Sequence, residues 1–308
     1  MLFLAIDLDQ ARLNFSSDNV FLLKICLGIV MYGVALNLQT KDFREILVNP
    51  RSVIIGLLSQ VVFLPITTFG LILLVNPHPS LALGMILVAA CPGGPLSNFI
   101  SHYSGGNAEL SVSLTTATTL LSTLATPFNF AFWSQMLGVQ SQAVSLNFME
   151  MAIIILELTI IPTFLGMFTR HRFPKFAEKI SKIFRIVSLL IFVIFIVGAF
   201  ADNFNIFIKY LYYFLLLVLA HNLVALLTGA LTARIFKVPG KDLRTITIET
   251  GIQNGSTSVL LTFSFFSDVG GMALIVGWWA IWDMCSSLML AFYWSKRPVK
   301  EANKTQSA

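Results

Sequence analysis

Charge is scarce in this sequence. Only 11% of the residues are Asp, Glu, Lys or Arg, whereas 56% are hydrophobic. Soluble domains carry roughly 25% charged residues, so a single water-soluble globular domain is a poor reading. Cysteine is scarce as well. Cys26, Cys91 and Cys285 stand alone inside apolar segments, so neither a disulfide framework nor a cysteine metal motif follows. The histidines His78, His102, His171 and His221 are isolated from one another. With no metal-ligand set and no Ser/His pair, an intramembrane enzyme is not expected. The first twenty residues hold three aspartates and lack a basic opening run, so they do not read as a signal or transit peptide.

What the chain has in abundance is long apolar segments, each near the roughly 20 residues that cross a bilayer. Nine are expected, at 20–38, 52–75, 81–104, 108–136, 147–169, 183–201, 206–234, 242–267 and 271–295. If residues 1–19 lie outside, the inner loops and the tail 296–308 hold every Lys and Arg except Arg12, Lys24 and Lys209. That asymmetry orients the chain in a cell membrane, with its N-terminus outside and its C-terminus cytoplasmic. The net charge of +5 is then a matter of orientation, and no nucleic-acid partner is needed.

Two of these spans are interrupted. In LALGMILVAACPGGPLSNFISHYS, Pro92 and Pro95 each remove a helical donor, and Gly93 and Gly94 weaken what remains. In TITIETGIQNGSTSVLL, Glu249, Gly251, Gln253, Asn254 and Gly255 sit where lipid would ask for apolar residues. The two interrupted spans are five apart, so they run in opposite directions. That is the pattern of an inverted-topology repeat whose discontinuous helices meet at the midplane. The expected fold is therefore an all-α polytopic membrane protein of nine transmembrane helices.

A broken helix exposes carbonyls on one side and N–H groups on the other, ends that suit a small cation and an anion respectively. The side chains around these breaks carry oxygen: Ser97, Asn98, Glu249, Gln253, Asn254 and Ser256, with Gln60, Ser111 and Thr115 on neighbouring spans. Such a set suits Na⁺ and no soft metal. The plainer reading is that Ser and Thr in membrane helices bond their own backbone, and that Pro-Gly breaks are kinks. Glu249 resists it. An ionised carboxylate at membrane depth costs at least about 2.5–3.5 kcal/mol, and a bound cation or a proton would offset that cost.

CPGGPLSN followed by GNAELSVSLTTATTLLSTLATP, together with TITIETGIQNGSTSVLL, resembles the two signature regions of the bile acid:sodium symporter family. The resemblance covers about residues 20–295. It implies a core domain (52–136 and 206–295) holding two crossing broken helices, packed on a panel domain (20–38 and 147–201), with substrate in the crevice between them. It also implies two Na⁺ sites. Ser97, Asn98, Ser111, Thr115 and Glu249 would form the first. Gln60, Glu249 and Gln253, with the carbonyls of Thr250 and Ile252, would form the second. Asn98, Asn254, Pro95 and Asp283 fall on substrate-facing positions. Pro95 replaces a small hydroxyl residue found in several members. Trp282-Asp283-Met284 stands where bile-acid-binding members can show a histidine and an asparagine. The function implied is sodium-coupled symport of an organic anion, a bile acid or a smaller carboxylate, by alternating access. The alternative is a proton-coupled or efflux carrier of the same architecture with Glu249 as its proton site.

Overall fold

The computed structural model describes residues 17–36, 48–94, 96–138, 148–181 and 204–297, with single positions between 183 and 194 and Val299. Among the described residues the regular structure is entirely helical. The helices are α1 (Ser17–Ala35), α2 (Pro50–Val75), α3 (Pro79–Ala90), α4 (Leu96–Tyr103) and α5 (Ala108–Met136). They continue with α6 (Phe148–Arg172), α7 (Phe204–Ile235), α8 (Gly240–Gly251), α9 (Gly255–Phe265) and α10 (Gly270–Ser295). Four helical stretches, Pro50–Val75, Phe148–Arg172, Ile208–Ile235 and Gly270–Ser295, are long and apolar enough to cross a bilayer. Most of the expected span 183–201 lies outside the described residues, as do 1–16, Pro95 and nearly all of the tail.

The two interruptions are real. Helix stops after Ala90 and resumes at Leu96; it stops again after Gly251 and resumes at Gly255. Cys91 and Ile252, at the two breaks, have extended backbones. Asn254 restarts the helix by accepting a hydrogen bond from the Thr257 N–H at 3.1 Å, and Asn107 does the same for α5 through the Leu110 N–H.

Two further irregularities occur inside α2 and α6. Each widens into one π turn, Ser59–Phe63 in α2 and Leu156–Ile160 in α6, and each turn is closely followed by a proline, Pro65 or Pro162. Proline cannot donate to the carbonyl four residues back. For Pro65 that carbonyl belongs to Val61, and the Asn129 amide donates to it instead at 3.1 Å.

Helix α3 is apolar all round, and every residue from Ser80 to Ala90 is buried. It lies against α10 at Gly84, where a Cβ would stand 2.2 Å from the Ile275 side chain. Gly229 brings α7 onto α8 as closely, since a Cβ there would meet the Ile246 carbonyl and Thr247 Cα at 2.8 Å. α1 pairs with α6 at Gly166, whose missing Cβ makes room for the Tyr32 carbonyl. The outer surface is apolar too: Leu74, Phe128, Phe164, Leu216 and Met289 are all exposed. An apolar exterior on this scale is what lipid contact requires.

Candidate functional site

The two breaks touch. Asn254 N–H donates to the Cys91 carbonyl at 3.2 Å, and Gly93 N–H donates to Gln60 Oε1 at 3.1 Å. A Cβ on Gly93 would be crowded, 3.0 Å from both the Glu249 and the Ile252 carbonyl oxygens. Carbonyls from one break and backbone N–H from the other are thus held at one depth by α2.

On one side of this crossing lies Glu249, fully buried at 0% exposure. Among the described residues its partners are all hydroxyls. Ser97 donates to it at 2.7 Å, Thr115 at 3.2 Å, and Ser111 makes a short contact with the same carboxylate. Asn98 closes the ring, its Oδ1 lying 2.9 Å from Ser111 Oγ and 3.0 Å from Thr115 Oγ1. Ser97 Oγ also lies 2.7 Å from the Gly94 carbonyl. Each hydroxyl therefore has one hydrogen and two acceptors. Turning the Asn98 amide would present hydrogens to Ser111 and Thr115, but it would supply none to the Ser97–Gly94 contact. A cage rich in oxygen and short of hydrogens suits a hard cation.

Gln60 and Gln253 are buried as well, at 0% and 3% exposure. Gln253 Nε2 donates to the Thr250 carbonyl at 2.7 Å, which leaves its Oε1 sealed without a partner. Gln60 Oε1 is engaged by Gly93, and its Nε2 has no partner. Gln60 Oε1 and the Glu249 and Ile252 carbonyls thus lie beside Gly93, and Gln253 follows Ile252 in the chain. The contacts of the Glu249 carboxylate itself run to the first cluster.

A cleft opens next to the breaks. Its walls are Cys91 and Pro92 from the first break, Asn254 and Thr257 from the second, Thr119, Ser122 and Thr126 of α5, and Thr159 in the π turn of α6. Of the residues expected to face substrate, Asn254 is here. Asn98 turns into the hydroxyl cage, Asp283 is not among the wall residues, and Pro95 lies outside the described residues. Thr119, Ser122 and Thr126 were not singled out from the sequence. Their spacing of i, i+3 and i+7 is the signal that marks them as one face.

Comparison with known proteins agrees with the geometry. The chain is 30% identical over 304 residues to an uncharacterized sodium-dependent transporter, YocS, of Bacillus subtilis, covering 97% of this chain and 92% of the relative. It is 30% identical over 255 residues to the human ileal sodium/bile acid cotransporter, covering 79% and 70%. A probable chloroplastic sodium/metabolite cotransporter of rice, BASS2, is 28% identical over 272 residues, covering 83% and 64%. The profile of the Sodium Bile acid symporter family matches residues 24–210, and this chain is a member of that family, one of multi-pass membrane transporters and not of enzymes.

Proposed function

We propose that the chain is a symporter that moves an organic anion with Na⁺ by alternating access. One observation carries this reading: a fully buried carboxylate, Glu249, whose partners are hydroxyls short of hydrogens. The first Na⁺ is held by Ser97, Asn98, Ser111, Thr115 and Glu249. The second is held by Gln60, Gln253, Glu249 and the carbonyls of Thr250 and Ile252, where the free Gln253 Oε1 supports an oxygen site. The core comprises α2–α5 and α7–α10, an inverted repeat around the two breaks. The panel comprises α1, α6 and residues 183–201, and the N-terminus is external. Two Na⁺ with one monovalent anion move one net positive charge, which gains about 2.3 kcal/mol per 100 mV.

Thermal unfolding of the purified protein in Na⁺ and in K⁺, paired with uptake into proteoliposomes, tests the reading. Na⁺ should stabilise the wild type, since a ligand of the native state raises its apparent stability. Glu249→Ala should lose both that stabilisation and Na⁺-driven uptake, and Glu249→Gln, which carries no charge, should be severely impaired. Na⁺ stabilisation retained in Glu249→Ala would overturn the site. Uptake that follows a pH gradient without Na⁺, and fails in Glu249→Gln, would favour the proton-coupled reading instead.

A further inference from the structure

We propose that Asn222 of α7 is a positioning residue for the second cation site, where it fixes the peptide that aims the Ile252 carbonyl. This rests on the Na⁺-coupled reading above and adds to its site a residue from a neighbouring helix.

A helix leaves its last four carbonyls without backbone partners, and at membrane depth lipid supplies none. At the end of α8, two of them find side chains. Gln253 Nε2 donates to the Thr250 carbonyl at 2.7 Å, and Asn222 Nδ2 donates to the Gly251 carbonyl at 3.1 Å. Gln253 belongs to the break itself, whereas Asn222 reaches it from another helix, 29 residues away in the chain. Asn222 is 3% exposed, and because a carbonyl only accepts, the amide nitrogen is the end that faces it.

The shape of α7 makes that reach possible. Asn222, Leu226 and Gly229 stand at i, i+4 and i+7, so they form one face of the helix. Gly229 seats this face on the backbone of α8, as described above. A Cβ on Gly251 would stand 2.2 Å from Leu226 Cδ2, so the break itself lies against the same face.

Two bonds then hold one peptide plane. The C=O of Gly251 accepts from Asn222, and the N–H of Ile252, in the same peptide unit, donates to the Ile248 carbonyl at 2.8 Å. Ile252 has an extended backbone, with φ −108° and ψ 106°. Carbonyls on either side of an extended residue point in opposite directions. With the Gly251 carbonyl turned to α7, the Ile252 carbonyl is turned away, toward Gly93 of the first break. It lies 3.0 Å from where a Gly93 Cβ would stand, and Gln60 Oε1 lies 3.2 Å from the same point. Asn222 thus sets the direction of an oxygen that sits with Gln60 Oε1. Without it, the Gly251 backbone, which has no Cβ to restrict its torsions, lets the plane turn.

Satisfying an orphan carbonyl would stabilise the fold in any salt, whereas aiming a cation ligand shows only against Na⁺. Thermal unfolding of the purified full-length protein would be followed across a NaCl titration, with KCl holding the ionic strength constant. Asn222→Leu keeps the bulk of the side chain and removes the donor. Asn222→Ser is the gentler variant, its hydroxyl free to bond its own helix. Each should raise the Na⁺ concentration for half-maximal stabilisation about tenfold, the equivalent of one buried hydrogen bond. Saturating Na⁺ should still deliver the full wild-type shift. Thr228→Val removes a buried hydroxyl elsewhere on α7 and should keep the wild-type midpoint. An unfolding temperature lowered equally in both salts with the Na⁺ midpoint unchanged would overturn the proposal. So would a midpoint that moves as far in Thr228→Val, or Asn222 variants that stay unfolded at every Na⁺ concentration. Wild-type protein that Na⁺ does not stabilise would instead defeat the Na⁺-coupled reading itself.

Discussion

Glu249 and Asp283 are both buried carboxylates, at 0% and 4% exposure, and they differ in what surrounds them. Glu249 is ringed by hydroxyls from α4 and α5. Asp283 has a sealed Oδ1 with no partner, and the nearby Ser286 bonds its backbone carbonyl rather than its side chain. One turn away on either side, Trp279 and Ser287 are buried. An unpaired charge in such a place costs several kcal/mol, a cost that the uncharged isostere avoids. Asp283→Asn is therefore expected to keep or raise thermal stability and to leave Na⁺ affinity within a few-fold of wild type. Its effect, if any, falls on substrate preference or on the pH optimum of uptake. Thermal unfolding across a Na⁺ titration checks this. Loss of Na⁺ stabilisation as complete as in Glu249→Ala would make Asp283 part of the cation site.

At the scale of the helices, Asp242 joins elements far apart in sequence. It stands in the first turn of α8, is 4% exposed, and accepts from Asn49 Nδ2 at 2.9 Å, Ser52 Oγ at 2.6 Å and Asn107 Nδ2 at 2.9 Å. Asn49 and Asn107 are the N-caps of α2 and α5, so three helix N-termini converge on one carboxylate. Their partial positive charge favours an acid there. Nearby, Arg244 donates to the carbonyls of Ser104 and Trp294, close to the ends of α4 and α10. Removing the hub in Asp242→Ala should cost about 3 kcal/mol or more, since each bond to a charged group contributes roughly 1.5–3. The expected outcome is a lower unfolding temperature in Na⁺ and K⁺ alike, with the shift between the two salts preserved. A shift that vanished would tie Asp242 to the cation sites. The contrast with the breaks shows what a sequence discloses. Pro92, Gly93, Gly94 and Gly251 act on the backbone of their own segment, so both interruptions are legible in one dimension. The hub depends on partners 135 to 193 residues distant, and nothing local marks Asp242 as more than an acid at the edge of its expected span. The π turns are intermediate. Pro65 and Pro162 signal trouble in their helices, but that Asn129 takes the freed carbonyl of Val61 is visible only once α2 and α5 are packed.

For the whole molecule, the contacts divide into those a rocking motion would keep and those it would break. α1 and α6 are locked together: Gly166 seats the Tyr32 carbonyl, Tyr32 Oη donates to Thr169 Oγ1 at 3.2 Å, and the Tyr32 ring meets that of Phe184 at 5.4 Å. Interlocked backbones of this kind move as one body. α1 meets α9 differently, through Leu23 and Leu27 on Leu260, with Ile154, Leu158 and Val259 packed around them. Those described contacts are apolar, so the seam can part and reseal at low cost. It also lies beyond the breaks, on the stretch of α9 that leads toward the expected outer face. If α1 and α6 form a panel that swings against the rest, this seam is an outer gate and must open in each cycle. Leu27→Cys with Leu260→Cys, in a chain otherwise free of cysteine, should then be bridged by a short, membrane-impermeant bis-methanethiosulfonate added outside intact cells. The bridge should abolish Na⁺-driven uptake, and reduction should restore it. The control pair Tyr32→Cys with Thr169→Cys, bridged with a permeant reagent, should leave uptake in place because those helices never separate. Bridging of the first pair without loss of uptake would rule out the swing. Reaction only with reagent on the cytoplasmic side would reverse the orientation that the basic residues assign.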